Sequence, residues 1–204
     1  MKRGLSIVSA LLVAAATVFG CATGGHSGSG WVTFIDGDKG LENWNRDGDA
    51  NWRAEGGAIM ADKGKGGFLV SKNDYKDFEL YIEFSPDHTA NSGIYMRCQD
   101  RNKLSDRSCY EANIFDQRPD PSYGTGGIVH RGTVSVPHKA GGKWNVYEIY
   151  VKGPVLTVKL NGVVTTSIVN SELTEPGPIA LQFGNRGKEP GGAIKFRKVQ
   201  IRPL

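Results

Sequence analysis

The sequence predicts an all-β domain, a sandwich or barrel of short antiparallel strands. Three observations predict it. Apolar and polar residues alternate with a period of two, most cleanly in DFELYIEF (77–84), where Phe78, Leu80, Ile82 and Phe84 face one way and Glu79, Tyr81 and Glu83 the other. Turn signals recur along the chain, among them Gly56-Gly57 and Asn161-Gly162, dipeptides suited to the positive φ of a tight hairpin. Patterns at helical spacing are short, and only SELTEP (171–176) suggests a single helical turn.

Taken in order, WVTFI (31–35) opens the domain and NWRAEGGAIMA (51–61) reads as a hairpin about its two glycines. GFLVS (67–71), the strand at 77–84, NSGIYMRC (91–98) and CYEANIFD (109–116) follow, then a shorter GGIVHR (126–131). WNVYEIYVKG (144–153), VLTVKLNG (155–162) and VVTTSIV (163–169) form a meander, and PIALQFG (178–184) and AIKFRKVQIRPL (193–204) close the chain. Ile194 and Phe196 share one parity, Val199 and Ile201 the other, so a β-bulge is expected near Arg197-Lys198.

The first 20 residues are set apart from this fold. Lys2 and Arg3 precede an apolar run, GLSIVSALLVAAATVFG (4–20), with the character of a secretory signal peptide. The run ends VFGC, similar to a bacterial lipoprotein cleavage box, which would leave Cys21 to carry a lipid. Residues 21–30 then read as a lipidated cysteine and a Gly/Ser tether, and 31–204 as one domain. Ala22 after the cysteine resembles lipoproteins sorted to the outer membrane, giving a protein held in the cell envelope by its lipid and facing the periplasm. The net charge falls from +4 to +2 once Lys2 and Arg3 are removed, too small and too scattered for a nucleic-acid surface. With Cys21 assigned to lipid, Cys98 and Cys109 remain as an even pair in an oxidising compartment, expected to form a disulfide.

Polar residues inside a strand raise the question of function. Glu111 and Asn113 lie two apart in YEANIFD and point to one face, with Asp116 just beyond. That face is either wetted or the floor of a site. Asp47, Asp49 and Asn51 have the alternate spacing of a calcium loop but lack its glycine and its closing glutamate, so a polar turn is the better reading. Trp44 reads as a loop aromatic able to border a sugar site, and Trp144 as a core residue. Among the hydrolytic arrangements, neither a Ser/His/Asp order nor a Cys/His pair stands out, and there is no nucleotide-binding loop.

FIDGDKGLENW (34–44), KDFELYIEF (76–84), NSGIYMR (91–97), YEANIFD (110–116), GKWNVYEI (142–149), IALQ (179–182) and FRKVQIRPL (196–204) together resemble, in order and spacing, the 3-keto-disaccharide hydrolase domain family. The resemblance implies a concanavalin-like jelly roll with a sugar cleft, and cleavage of 3-keto-glycosides. A C3 ketone acidifies the C2 hydrogen; a base removes it, the enolate expels the C1 substituent, and water adds back. Such a site needs a base, a cation or divalent metal at the enolate oxygen, and partners for hydroxyls. The resemblance assigns Glu111 as base or metal ligand and Arg97 as its electrostatic partner, with Asn113 and Asp116 toward the sugar; Gln182 and the loop aromatic Trp44 are further substrate-binding candidates. Where family members carry LQDHG, this chain reads LQFGNRG (181–187), without the histidine. His130 is the substitute catalytic residue and His138 its alternate. A glycan-binding domain without catalysis is the competing reading.

Overall fold

Strands that are apolar on one side can hide that side by laying one sheet on another. The computed structural model describes residues 25–184 and 191–204, in which thirteen strands form two antiparallel sheets. The larger sheet runs β11 (Val163–Val169), β10 (Val155–Leu160), β9 (Asn145–Lys152), β6 (Phe78–Pro86), β13 (Ile194–Pro203), β4 (Ala58–Ala61) and β3 (Arg53–Glu55), with β1 (Val32–Asp36) also pairing with β13. The smaller runs β2 (Trp44–Gly48), β5 (Gly66–Ser71), β12 (Ala180–Gly184), β7 (Ser92–Met96) and β8 (Tyr110–Ile114). The helical content of the described residues is two short 3-10 turns, Leu41–Asn43 and Pro121–Tyr123; 171–176 forms no helical turn.

The inner faces form one core. Phe78, Leu80, Ile82 and Phe84 of β6, Phe196, Val199 and Ile201 of β13, and Ile149 and Val151 of β9 are buried against Leu69, Ile94, Tyr110, Ala112, Leu181 and Phe183 of the smaller sheet. Each large side chain so removed from water contributes roughly 1.5–3 kcal/mol before the entropy of ordering is set against it. The hairpins turn where expected: Glu55 pairs with Ala58 across Gly56 and Gly57 at φ 62 and 75, and Leu160 with Val163 across Asn161 and Gly162 at φ 51 and 82. The register of β13 against β6 shifts between Phe196 and Lys198, which restores the inward face after the change of parity.

Four expectations are corrected. Trp44 opens β2 and packs in the core against Phe34, ring centroids 5.2 Å apart, so it does not border a cleft. Trp144 is 37% exposed and lies under the Arg197 guanidinium. GGIVHR is not a strand but a loop that touches β8 through an Ala112–Ile128 bridge. The expected tether is docked from His26 onward: its ring stacks on Trp31, its N–H donates to Gln200 Oε1 (2.8 Å), and Gln200 Nε2 donates to its carbonyl (3.1 Å). The signal peptide, Cys21 and the NRG segment of LQFGNRG lie outside the described residues.

Candidate functional site

The polar strand face resolves into the floor of a groove. In the β7–β8 ladder Ser92 pairs with Ile114, Gly93 with Asn113 and Tyr95 with Glu111. Ile94, Met96, Tyr110 and Ala112 point inward to the core, so Tyr95 and Glu111 point outward. A groove of about 360 Å³ crosses this outer face, lined among others by Asp47, Phe68, Tyr95, Asp106, Glu111, Arg118 and Gln182. Asp47 comes from β2, Phe68 from β5, Gln182 from β12, Tyr95 from β7 and Glu111 from β8, so all five strands of the sheet contribute.

Glu111 is buried in this floor, 4% exposed. Its carboxylate lies over Gly93, where an added Cβ would sit 2.7 Å from Oε1 and 2.9 Å from Cγ. The glycine thus makes the space in which the side chain rests. The Tyr95 phenol lies near the Glu111 carboxylate and accepts a bond from Gln182 Nε2 (2.9 Å), and its ring stands edge-on to Phe68 at 5.0 Å. Burial, and then the nearby Glu111 charge, push the Tyr95 pKa far up, so the phenol keeps its proton as a donor. Gln182 Oε1 is buried without a hydrogen-bond partner, an acceptor able to take a ligand hydroxyl. The half-buried Arg118 makes no side-chain hydrogen bond or salt bridge to a described residue. Among the described residues no group of three His, Cys, Asp or Glu side chains converges as metal ligands.

The other expected site residues are placed elsewhere. Arg97 is wholly buried and does not meet Glu111. Regular pairing would set Arg97 opposite Cys109, but its φ of 49° makes it a one-residue bulge, so Cys98 lies beside Cys109 instead and the two are joined in a disulfide. The bulge turns the guanidinium away from the groove: Nε donates to Lys76 O (2.6 Å), Nη1 to Gly153 O (2.8 Å) and Leu173 O (3.3 Å), and Nη2 to Asp77 Oδ1 (2.9 Å). Asn113 is sealed under the loop after β8, its Nδ2 donating to Tyr123 O (2.6 Å). Asp116 is a loop clip, accepting from Thr125 Oγ1 and the N–H groups of Ala140 and Gly141. His130 lies behind the groove rim, its Nε2 3.0 Å from Asp106 Oδ2. Asp49 caps its own turn through the Lys65 and Gly66 N–H groups (2.6 and 3.1 Å).

Tyr95, Arg118 and Asp106 are the groove residues that sequence reasoning missed. The parity of NSGIYMR does put Tyr95 beside Gly93, which was a usable signal. Arg118 and Asp106 sit in loops, whose return to the sheet no periodicity reports.

A jelly-roll sandwich with a carboxylate-floored groove across one sheet belongs to the glycan-binding and glycan-cleaving class of folds. Within that class, this chain is a member of the 3-keto-alpha-glucoside-1,2-lyase-like domain family, whose model matches residues 30–202. Among solved structures, a candidate glycosyl hydrolase from Parabacteroides distasonis superposes with a TM-score of 0.68 at 25% identity, over 85% of this chain and 99% of its own. The carbohydrate-binding module CBM66 of Bacillus subtilis gives 0.56 at 14% identity, over 85% and 95% respectively. A Bacillus subtilis protein with a galectin-like fold gives 0.58 at 8%, over 83% and 93%. These last two show likeness of fold. No curated protein matches the chain.

Proposed function

We propose that this domain cleaves 3-keto-glycosides, with Glu111 as the base that removes the C2 proton. The observation that carries the reading is the buried Glu111 carboxylate, seated over Gly93 and across the ladder from Tyr95, in a groove that Arg118 also lines. A carboxylate held at one place, with little water around it, is suited to take a carbon-bound proton made acidic by the adjacent ketone. As that proton leaves, charge moves onto the ketone oxygen. Arg118 is a groove cation able to face it, and Gly93 leaves the space that seats the carboxylate. The enolate electrons then form a C1–C2 double bond and the C1–O bond breaks; water added across that double bond gives net hydrolysis. Gln182 and Asp47 serve the sugar hydroxyls, and Phe68 offers an apolar face to the ring.

The VFGC sequence supports a lipid-anchored protein in the cell envelope, with the outer membrane favoured by Ala22. Incubation with a 3-keto-glucoside in deuterium oxide tests the function. Deuterium entering C2 and release of the C1 substituent, both above the uncatalysed rate, are expected. Binding with neither event would make the domain a lectin.

A further inference from the structure

The groove holds a second carboxylate, built into it by a different route. Asp106 lies in the loop closed by the Cys98–Cys109 disulfide, and both it and Glu111 are close enough to Tyr95 to raise the phenol's hold on its proton. Two consecutive residues of the loop after β8 fix its position. His130 sits in the left-handed region at φ 66°, which L residues adopt at a cost, and its Nε2 meets Asp106 Oδ2 at 3.0 Å. The Arg131 side chain, 6% exposed, donates Nη1 to Asp106 O (2.9 Å) and Cys109 O (3.1 Å), and Nη2 to Arg107 O (3.0 Å). Val129 N–H donates to Glu111 O (3.0 Å), so one short segment ties the strand bearing the first carboxylate to the loop bearing the second.

We propose that Asp106 is the general acid of the groove, delivering a proton to the oxygen that leaves C1, with His130 as the positioning residue that holds its carboxyl in place. This rests on the reading of Glu111 as base. The balance is as follows. Glu111 takes the C2 proton; the C2–H pair becomes the C1–C2 double bond as the enolate collapses; the C1–O pair goes to the leaving oxygen. That oxygen takes the Asp106 proton, which leaves Asp106 as a carboxylate. When water adds to C1, Asp106 receives its proton and Glu111 returns one to C2, so no outside reactant but water is needed. The arrangement suits a poor leaving group such as a sugar or alkyl alcohol, whose oxygen must be protonated to depart.

The test compares Asp106→Asn and Glu111→Gln on two substrates, a 3-keto-disaccharide and a nitrophenyl 3-keto-glucoside, whose leaving group departs without a proton. Asp106→Asn should lose ~10²-fold or more in kcat on the disaccharide, yet stay within about tenfold on the nitrophenyl compound, and it should still exchange C2 hydrogen for deuterium. Glu111→Gln should lose exchange and both cleavages. His130→Ala should shift the preference toward the nitrophenyl compound in the same direction, and His130→Gln, which keeps a donor to Asp106, should restore it. Equal loss on both substrates by Asp106→Asn, or no loss on either, overturns the acid assignment. Unimpaired exchange in Glu111→Gln overturns instead the reading of the base.

Discussion

Tyr95 stands directly across the β7–β8 ladder from Glu111, close enough for the carboxylate charge to tighten the phenol's hold on its proton. In a non-polar floor the pair fixes where a charge sits. A tyrosine whose proton is held more tightly by burial and by that charge stays neutral, so its hydroxyl accepts from Gln182 Nε2 and keeps a proton to donate.

The first prediction follows from that geometry. Glu111→Gln keeps the shape and the contact with Tyr95 but cannot take a proton. Turnover of a 3-keto-glycoside should fall by ~10²-fold or more, while sugar binding by calorimetry and thermal stability change little. A variant as fast as the parent would show that the groove carboxylate is not the base.

Gly93→Ala makes a subtler intrusion. The new methyl would overlap Glu111 Oε1 and Cγ, and the flexible carboxylate end can yield where the strand cannot. Activity should drop at least tenfold, and because Gly93 is buried the overlap should also lower stability, by roughly 1–3 kcal/mol. A crystal structure with an unmoved Glu111 would contradict this.

Arg97 should behave as a structural residue. Arg97→Ala leaves Asp77 and three carbonyls without their donor, a loss of roughly 3–5 kcal/mol. Chemical denaturation reads the loss. The specific activity of whatever remains folded should be close to that of the parent, which a cleft residue would not allow.

The disulfide closes a loop of sequence separation 11, so Cys98→Ser with Cys109→Ser should lower stability by roughly 3 kcal/mol. Reductant should destabilise the parent and leave the double variant unchanged. Activity should fall as well, because Asp106 rides on that loop.

Acid stability offers an independent check away from the groove. Asp62 accepts Nη1 and Nη2 of Arg53 (2.8 and 3.0 Å) and Asn51 Nδ2, and these bonds, the Arg53 ones first, hold its carboxyl down to about 2. A lowered folded-state pKa means that the stabilisation is complete above the ordinary carboxylate range and is lost as pH falls toward 2. The pair is well exposed, so solvent screening limits it to about 1 kcal/mol. The stability gap between the parent and Asp62→Asn, measured by urea titration, should be constant near pH 7 and close between pH 4 and 2.

The strands were legible because burial writes a period of two into sequence, and that is what placed Glu111 on an outward face and foresaw the bulge in β13. The strand β2 was not legible: WNRDG holds one apolar residue, since it lies at a sheet edge and most of it meets water. Arg97 misled for a different reason. Parity predicts orientation only while the ladder is regular, and a single left-handed residue inverted it. Asn113 and Asp116 lie where polar groups are expected, but they serve the loops that fold over the sheet, and loop return is set by tertiary contacts that periodicity does not encode.

The bulge at Arg97 also separates two kinds of change. On one side of it lies the ladder that seats Glu111 over Gly93; on the other lies a loop sealed by a covalent bond at its base and held by the Arg131 side chain. Insertions or rewritten stretches between Gln99 and Lys103 can be absorbed in that sealed segment without altering strand phase. The domain thus pairs a fixed chassis, the ladder that seats Glu111, with a separately sealed cassette, the loop that carries Asp106.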